Sequence, residues 1–204
     1  MDTMTRVALI SLSAMVLLGL ILALLPNPPR AQLGEVILEN VDMVLYPAAD
    51  PNARWTFKAT QVLYNPETRE SVASGLQDGK RYLNVTNPKP GQARTEVDLS
   101  LKANEIRIDA SDNLNTQQAE VYIYKGCWTV KLGKPDAVPV VIDQNTGYRA
   151  PYAEVRGPNL ESKGGPLTAS FDLEKQFDLQ NPEDRYIQGG KERCVNGTLV
   201  KETE

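Results

Sequence analysis

The segments KATQVLYNPET (residues 58–68) and KANEIRIDASD (residues 102–112) repeat one pattern 44 residues apart. Each runs Lys-Ala, two variable positions, a branched apolar residue, one variable position, a second apolar residue, then Asn or Asp. The approach to each is shared too. Trp55, Phe57 and Ala59 alternate with Arg54, Thr56 and Lys58, and Leu99, Leu101 and Ala103 alternate with Asp98, Ser100 and Lys102. Period two with one apolar face predicts half-buried antiparallel strands. In both copies the apolar parity then slips by one residue, to Val62 and Tyr64 in the first and to Ile106 and Ile108 in the second. A slip at the same place predicts a bulge or sharp corner, where the small Ala lets backbones approach. The repeated unit is strand, corner, strand.

Alternation continues elsewhere, for example through Val41, Met43 and Leu45, and NPET, QDGK, NPKPG and SDN supply turn signals between segments. Short strands at this spacing predict an all-β sandwich, jelly roll or barrel. In VYIYKGCWTVKL (121–132) the inward face stays open. Tyr122, Tyr124, Trp128, Val130 and Leu132 share one parity, Val121 and Ile123 the other. Between Gly133 and Pro166, ten of 34 residues are Gly or Pro, and the single apolar run is VPVVI. That texture predicts a long, loop-rich excursion with one short strand in it. A degraded third copy of the repeat follows in LTASFDLEKQ (167–176), where Leu167, Ala169 and Phe171 keep the alternation.

The amino terminus has a different character. Val7 to Leu25 is an uncharged run of 19 residues. As a helix it would span about 28 Å, the thickness of a bilayer's hydrocarbon core. It exceeds the usual apolar core of a cleaved signal peptide, and the PNPPR that follows offers no cleavage motif. The expected order is a short cytoplasmic head (1–6), a transmembrane helix (7–25), a Pro-rich stalk (26–31) and an extracytoplasmic β domain (32–204). Cys127 and Cys194 are the only cysteines. In an oxidising compartment they can close one disulfide; the alternative is two small unpaired core residues.

Chemistry is sparse. The chain has no histidine, which removes the commonest general base and zinc ligand. With 22 Lys+Arg against 26 Asp+Glu and no basic run, nothing marks a nucleic-acid surface. Asp109, Ser111, Asn113, Asn115 and Glu120 fall at the spacing of a calcium loop, but Leu114 stands where the sharp turn needs Gly, so a polar turn between strands is expected. No serine has an activating partner and no two of the many acids stand out. The expectation is no catalytic residue, no metal and no cofactor.

RWTFKATQVLYNPET and DLSLKANEIRIDASDNLNTQQAEVYIYKGCWTVK resemble the OstA-like β-jelly-roll repeats of lipopolysaccharide transport proteins, over about residues 36–132. A single N-terminal span before such a domain is most similar to the membrane-anchored, LptC-like periplasmic branch of that family. The resemblance implies an open, V-shaped jelly roll whose apolar interior shelters acyl chains. It implies cargo of lipopolysaccharide or a related envelope lipid, received from a membrane ABC transporter. Handover would be to a further β-jelly-roll bridge protein by edge-strand pairing, at the periplasmic face of the inner membrane. Carried onto matching positions, the lipid-facing residues would be Trp55, Phe57, Leu99, Leu101, Ile106, Ile108, Val121 and Ile123. The rival expectation is an envelope interaction protein with a sealed core.

Overall fold

The computed structural model describes residue 15 and residues 34–86, 93–186 and 192–201. The predicted membrane span 7–25 lies outside the described residues but for Met15, as do the head (1–6) and the stalk (26–31). No helix among the described residues is long and apolar enough to cross a membrane. From Gly34 onward the chain forms one compact unit, and it is all β.

The predicted corners organise it. β1 (Val36–Leu45) pairs with β2 (Ala53–Asn65) from Tyr64 back to Trp55. The other edge of β2 is shared. Its first half, through Lys58, pairs with β4 (Gln77–Thr86), and its second half, from Gln61, pairs with β3 (Glu70–Ser74). β3 and β4 are thus two halves of one pass, broken at Gly75–Leu76. The next passes repeat the scheme: β5 (Ala93–Lys102) with β6 (Glu105–Ile108), then β7 (Leu114–Thr116) with β8 (Ala119–Ile123). After the tight turn at 124–127, β9 (Trp128–Leu132) and β10 (Val140–Asp143) form another pass, followed by β11 (Gly147–Ala150) with β12 (Ala153–Gly157). The last two are β13 (Leu160–Gly164) with β14 (Leu167–Ala169), and β15 (Phe177–Leu179) with β16 (Glu183–Tyr186). Each half pairs antiparallel with the corresponding half of the next pass.

The result is one continuous antiparallel sheet folded along a row of corners into two facing layers. The first layer runs β1-β2-β4-β5-β8-β9-β12-β13-β16, and the second runs β1-β2-β3-β6-β7-β10-β11-β14-β15. Apolar side chains of both layers meet in one buried cluster. The first layer contributes Trp55, Leu99 and Val130, the second Ile106, Leu114 and Tyr148. A second, smaller cluster of Ala59, Val62 and Ala73 lies at the corner of β2.

The excursion expected at 133–166 is not a loop. Four strands, β10 to β13, occupy most of it, and the meander continues without interruption. Its Gly and Pro residues mark the turns and corners instead. Gly133 and Gly147 have positive φ, and a Cβ on either would collide with neighbouring backbone carbonyls. Pro151 and the cis Gly165–Pro166 bond fall at two corners. Strands of four or five residues leave punctuation so dense that it reads as loop. The segment expected as a third repeat copy supplies β14 and places Phe171 against the core.

The open question at 121–132 resolves on the turn. Val121 and Ile123 point inward before it, Val130 and Leu132 after it, while Tyr122 packs edge-on against Tyr124 outside the core cluster. Beyond β16, a separate hairpin of β17 (Glu192–Val195) and β18 (Thr198–Lys201) folds back over these tyrosines. The Tyr122 hydroxyl donates to the Gly197 carbonyl, and Asn159 exchanges two hydrogen bonds with the backbone of Glu192. A disulfide joins Cys127, buried in the β8–β9 turn, to Cys194 on the hairpin, with Cα atoms 5.4 Å apart.

Two expected outcomes follow from this packing. Leu99→Ala, at the centre of the cluster, should lose about 2–5 kcal/mol in a urea titration, whereas Val200→Ala on the hairpin should change little. Replacing both cysteines by serine should speed amide hydrogen exchange at 192–201 and leave β5 and β8 protected. Loss of protection across all strands would instead mean that the hairpin belongs to the main cooperative unit.

Candidate functional site

Alternation dictates that every second residue of a strand faces the neighbouring layer, so among the described residues the apolar side chains converge in the interior. All eight positions inferred from the family resemblance lie there. Trp55, Phe57, Leu99, Leu101, Ile106, Ile108, Val121 and Ile123 belong to one buried cluster, none more than 8 % exposed. Trp55 and Phe57, two residues apart on β2, stack with ring centroids 5.7 Å apart. Three surface grooves of about 490, 660 and 570 Å³ include none of the eight and are lined mostly by polar and charged side chains. In this conformation the interior is filled by its own side chains. A charged residue at Phe57 or Leu101 would therefore break the core as well as any cargo contact.

The two layers also touch along the rim opposite the corners. The Ala48 amide donates to Asp112 Oδ2 at 3.2 Å, and Lys125 is ion-paired with Glu174 at 2.6 Å. Deeper in, Trp55 Nε1 donates to Gln144 Oε1 at 2.9 Å. Each of these contacts links a loop or strand of the first layer to a turn of the second.

The centre of the rim is a buried arginine. Arg81 lies opposite Trp55 on one side and Leu99 on the other, so it shares their inward face. It is only 4 % exposed. The register of β4 with β5 slips after Arg81, leaving Asp98 unpaired in the ladder and within reach of the guanidinium. Arg81 bridges Asp98 and Asp50, and its guanidinium carbon lies 4.0 Å from the centroid of the Phe171 ring. Phe171 in turn meets Trp55 and Tyr148 edge-on. Arg81 Nε, Asp98 Oδ1, Gln144 Nε2 and the Tyr148 hydroxyl are buried and find no hydrogen-bond partner among the described residues. Burial raises the Asp98 carboxyl above its ordinary value, and the attraction of Arg81 offsets only part of that. Burial likewise holds the Tyr148 phenol far above the ordinary range, so it stays neutral.

Of this cluster, Arg81, Asp50, Asp98, Gln144 and Tyr148 did not figure among the sequence candidates. An arginine in a strand is normally read as outward-facing. The segment QDGK, expected as a turn, is the start of β4, and it is the register of β4 along β2, shifted between Thr56 and Lys58, that sets Arg81 opposite Trp55.

The chain matches no family model, and no curated protein matches it.

The calcium-like segment begins as a polar turn between β6 and β7, and its remainder is β7 and the start of β8. Burial works against ionisation of Asp109, but the amides of Asn113 and Ser111 and the side chains of Asn113 and Asn115 outweigh it and hold the carboxyl below its usual value. Glu120, the would-be final ligand, is ion-paired with Lys102 at 3.1 Å. Among the described residues, no group of three metal-ligating side chains could hold an ion.

The Asp98 environment gives a pH test. Asp98 binds its proton more tightly in the folded than in the unfolded chain, where its pKa is near 3.8. Ionisation therefore costs stability, and the cost grows as pH rises from about 4 to the raised value. The stability of wild type relative to Asp98→Asn should fall across that interval and then level off, as read by denaturant unfolding at a series of pH values. A difference that rises with pH would mean that Arg81 outweighs burial.

Proposed function

We propose that residues 34–204 form an extracytoplasmic lipid-transport module of the OstA-like β-jelly-roll kind, held at the inner membrane by the apolar segment 7–25. It shelters acyl chains of lipopolysaccharide or a related envelope lipid between its layers. The cargo arrives from a membrane ABC transporter and passes to a further bridge protein of similar build. One observation carries the reading: consecutive bent passes stack into a single apolar interior whose bounding strands, β1 at one end and β15 with β16 at the other, have no strand partner on their outer sides among the described residues. A sheet built this way can be lengthened by another protein's strands, so the interior can be continued from one module to the next. Each acyl methylene sheltered contributes about 0.8 kcal/mol, so firm binding needs no specific head-group chemistry. The energy for directed movement lies with the transporter; the domain has no catalytic step or cofactor in this reading.

A second reading is favoured by the rim. A core filled by its own side chains and closed by Arg81 fits an envelope interaction protein that carries no lipid, its edges and outer faces serving protein contacts.

The two readings separate at Met43, which is half-buried against the interior at the lip of β1. A benzophenone amino acid placed there and illuminated in intact envelopes should give a lipid adduct of defined mass, while the same group at exposed Val44 should not. Protein adducts alone at Met43, with fold retained, would favour the second reading.

A further inference from the structure

The outer face of the first layer carries a row of charges that alternates in sign across every strand. Register pairs Lys102 with Glu120, Glu120 with Lys131, Lys131 with Glu154, Glu154 with Lys163, and Lys163 with Glu183. Three of these pairs have close charged atoms, Lys102–Glu120 at 3.1 Å, Lys131–Glu154 at 3.9 Å and Lys163–Glu183 at 2.9 Å. The row continues toward the amino terminus. Gly79 pairs with Leu101, which sets Asp78 alongside Lys102, and Asp78 is ion-paired with Lys58 at 3.8 Å. Lys58 faces Asp42 on β1. The full sequence of signs is therefore Asp42, Lys58, Asp78, Lys102, Glu120, Lys131, Glu154, Lys163, Glu183.

Nine strands with strict alternation must end as they begin. In this row both edges of the layer, β1 and β16, which have no outer partner among the described residues, present an acid. They also run in the same direction, since an odd number of antiparallel strands separates no net reversal. A second copy added head to tail would thus lay its β1 parallel to β16 and set Asp42 against Glu183. Like charges directly opposite one another destabilise a strand pair. Asp184, exposed on the inward side of β16 and bound to Ser162, adds a charge where an incoming strand would place an apolar residue.

We propose that this ladder selects the partner: the edges of the first layer reject a second copy of this chain and accept a strand of another protein that carries Lys or Arg in the ladder row. This rests on the strand-pairing part of the function proposed above and not on its cargo. Isolated surface ion pairs contribute little to stability. Their effect on which strand fits is larger, because a mismatch converts attraction into repulsion at the same position.

A charge-swap cycle on the full chain, kept in dilute detergent and followed by sedimentation velocity, tests it. Wild type, acidic at both edges, should stay monomeric. Asp42→Lys and Glu183→Lys each make the edges complementary and should associate about fivefold to tenfold more tightly. The double variant, basic at both edges, should return to monomer. Damage to the fold by one substitution cannot produce that pattern, since the double variant contains both. Wild type associating as tightly as the single variants, or single variants that stay monomeric up to about 1 mM, would overturn the proposal. On the same wild-type sample, a nine-residue Thr/Val strand peptide with a central Lys should bind at least fivefold better than its Glu counterpart, and equal binding would also overturn it. Native mass spectrometry for bound lipid is read separately. Its failure alongside the predicted cycle would remove the cargo and leave the ladder.

Discussion

Every pass of this chain has to bury an apolar face twice, once in each layer, while crossing a corner between them. A strand that merely bent would carry its alternation through unchanged, and whichever face was inward before the corner would have to remain so by geometry alone. The one-residue slip at Ala59–Val62 and again at Ala103–Ile106 resets the alternation so that Trp55 and Leu99 on one side, and Ile106 on the other, face one interior. The shared core, the closed rim and the outer edges all depend on that reset being repeated from pass to pass.

That slip was legible in the sequence because it occurs twice in similar words, although Tyr64, expected inward with Val62, is exposed. So were the half-buried face of β1 and the inward set of β2 and β5. The region 133–166 was misread because strands of four or five residues give too little alternation to register between Gly and Pro. The face chosen by β8 and β9 was also hidden, since it depends on how the 124–127 turn is made rather than on composition. Arg81 illustrates a different limit. Its side chain argued for the surface, and only long-range register with Trp55 and Leu99 places it inside. The eight interior positions were recognisable as apolar and inward, but burial is common to a cargo site and to an ordinary core, and sequence patterns do not distinguish them.

The two seams of the folded sheet differ in kind. Along the corners the layers are joined by the chain itself at nearly every pass. Along the rim they are held by side chains, with Arg81, Asp50, Asp98 and Phe171 at the centre. A buried ion pair is a poor source of net stability, because desolvation offsets its attraction, but it is severe against partial disruption. The rim is therefore the place where separating the layers needs no rearrangement of the backbone ladder, and where a half-open state would leave charges stranded. Sheltering a lipid and sealing a core place opposite demands on this one cluster.

The hairpin at the carboxyl end has a bearing on the history of each molecule. It lies outside the main sheet, and apart from the Cys127–Cys194 bond it is attached chiefly through Tyr122, Asn159 and its packing on the tyrosines. Cys127 is buried in a turn that forms with the core, whereas Cys194 arrives with the last strands to be synthesised. A chain that completes its sheet where thiols stay reduced would carry a loosely held tail, and one that does so among oxidants would carry a fastened tail. The covalent state of the hairpin is thus a lasting mark of the surroundings in which that copy matured.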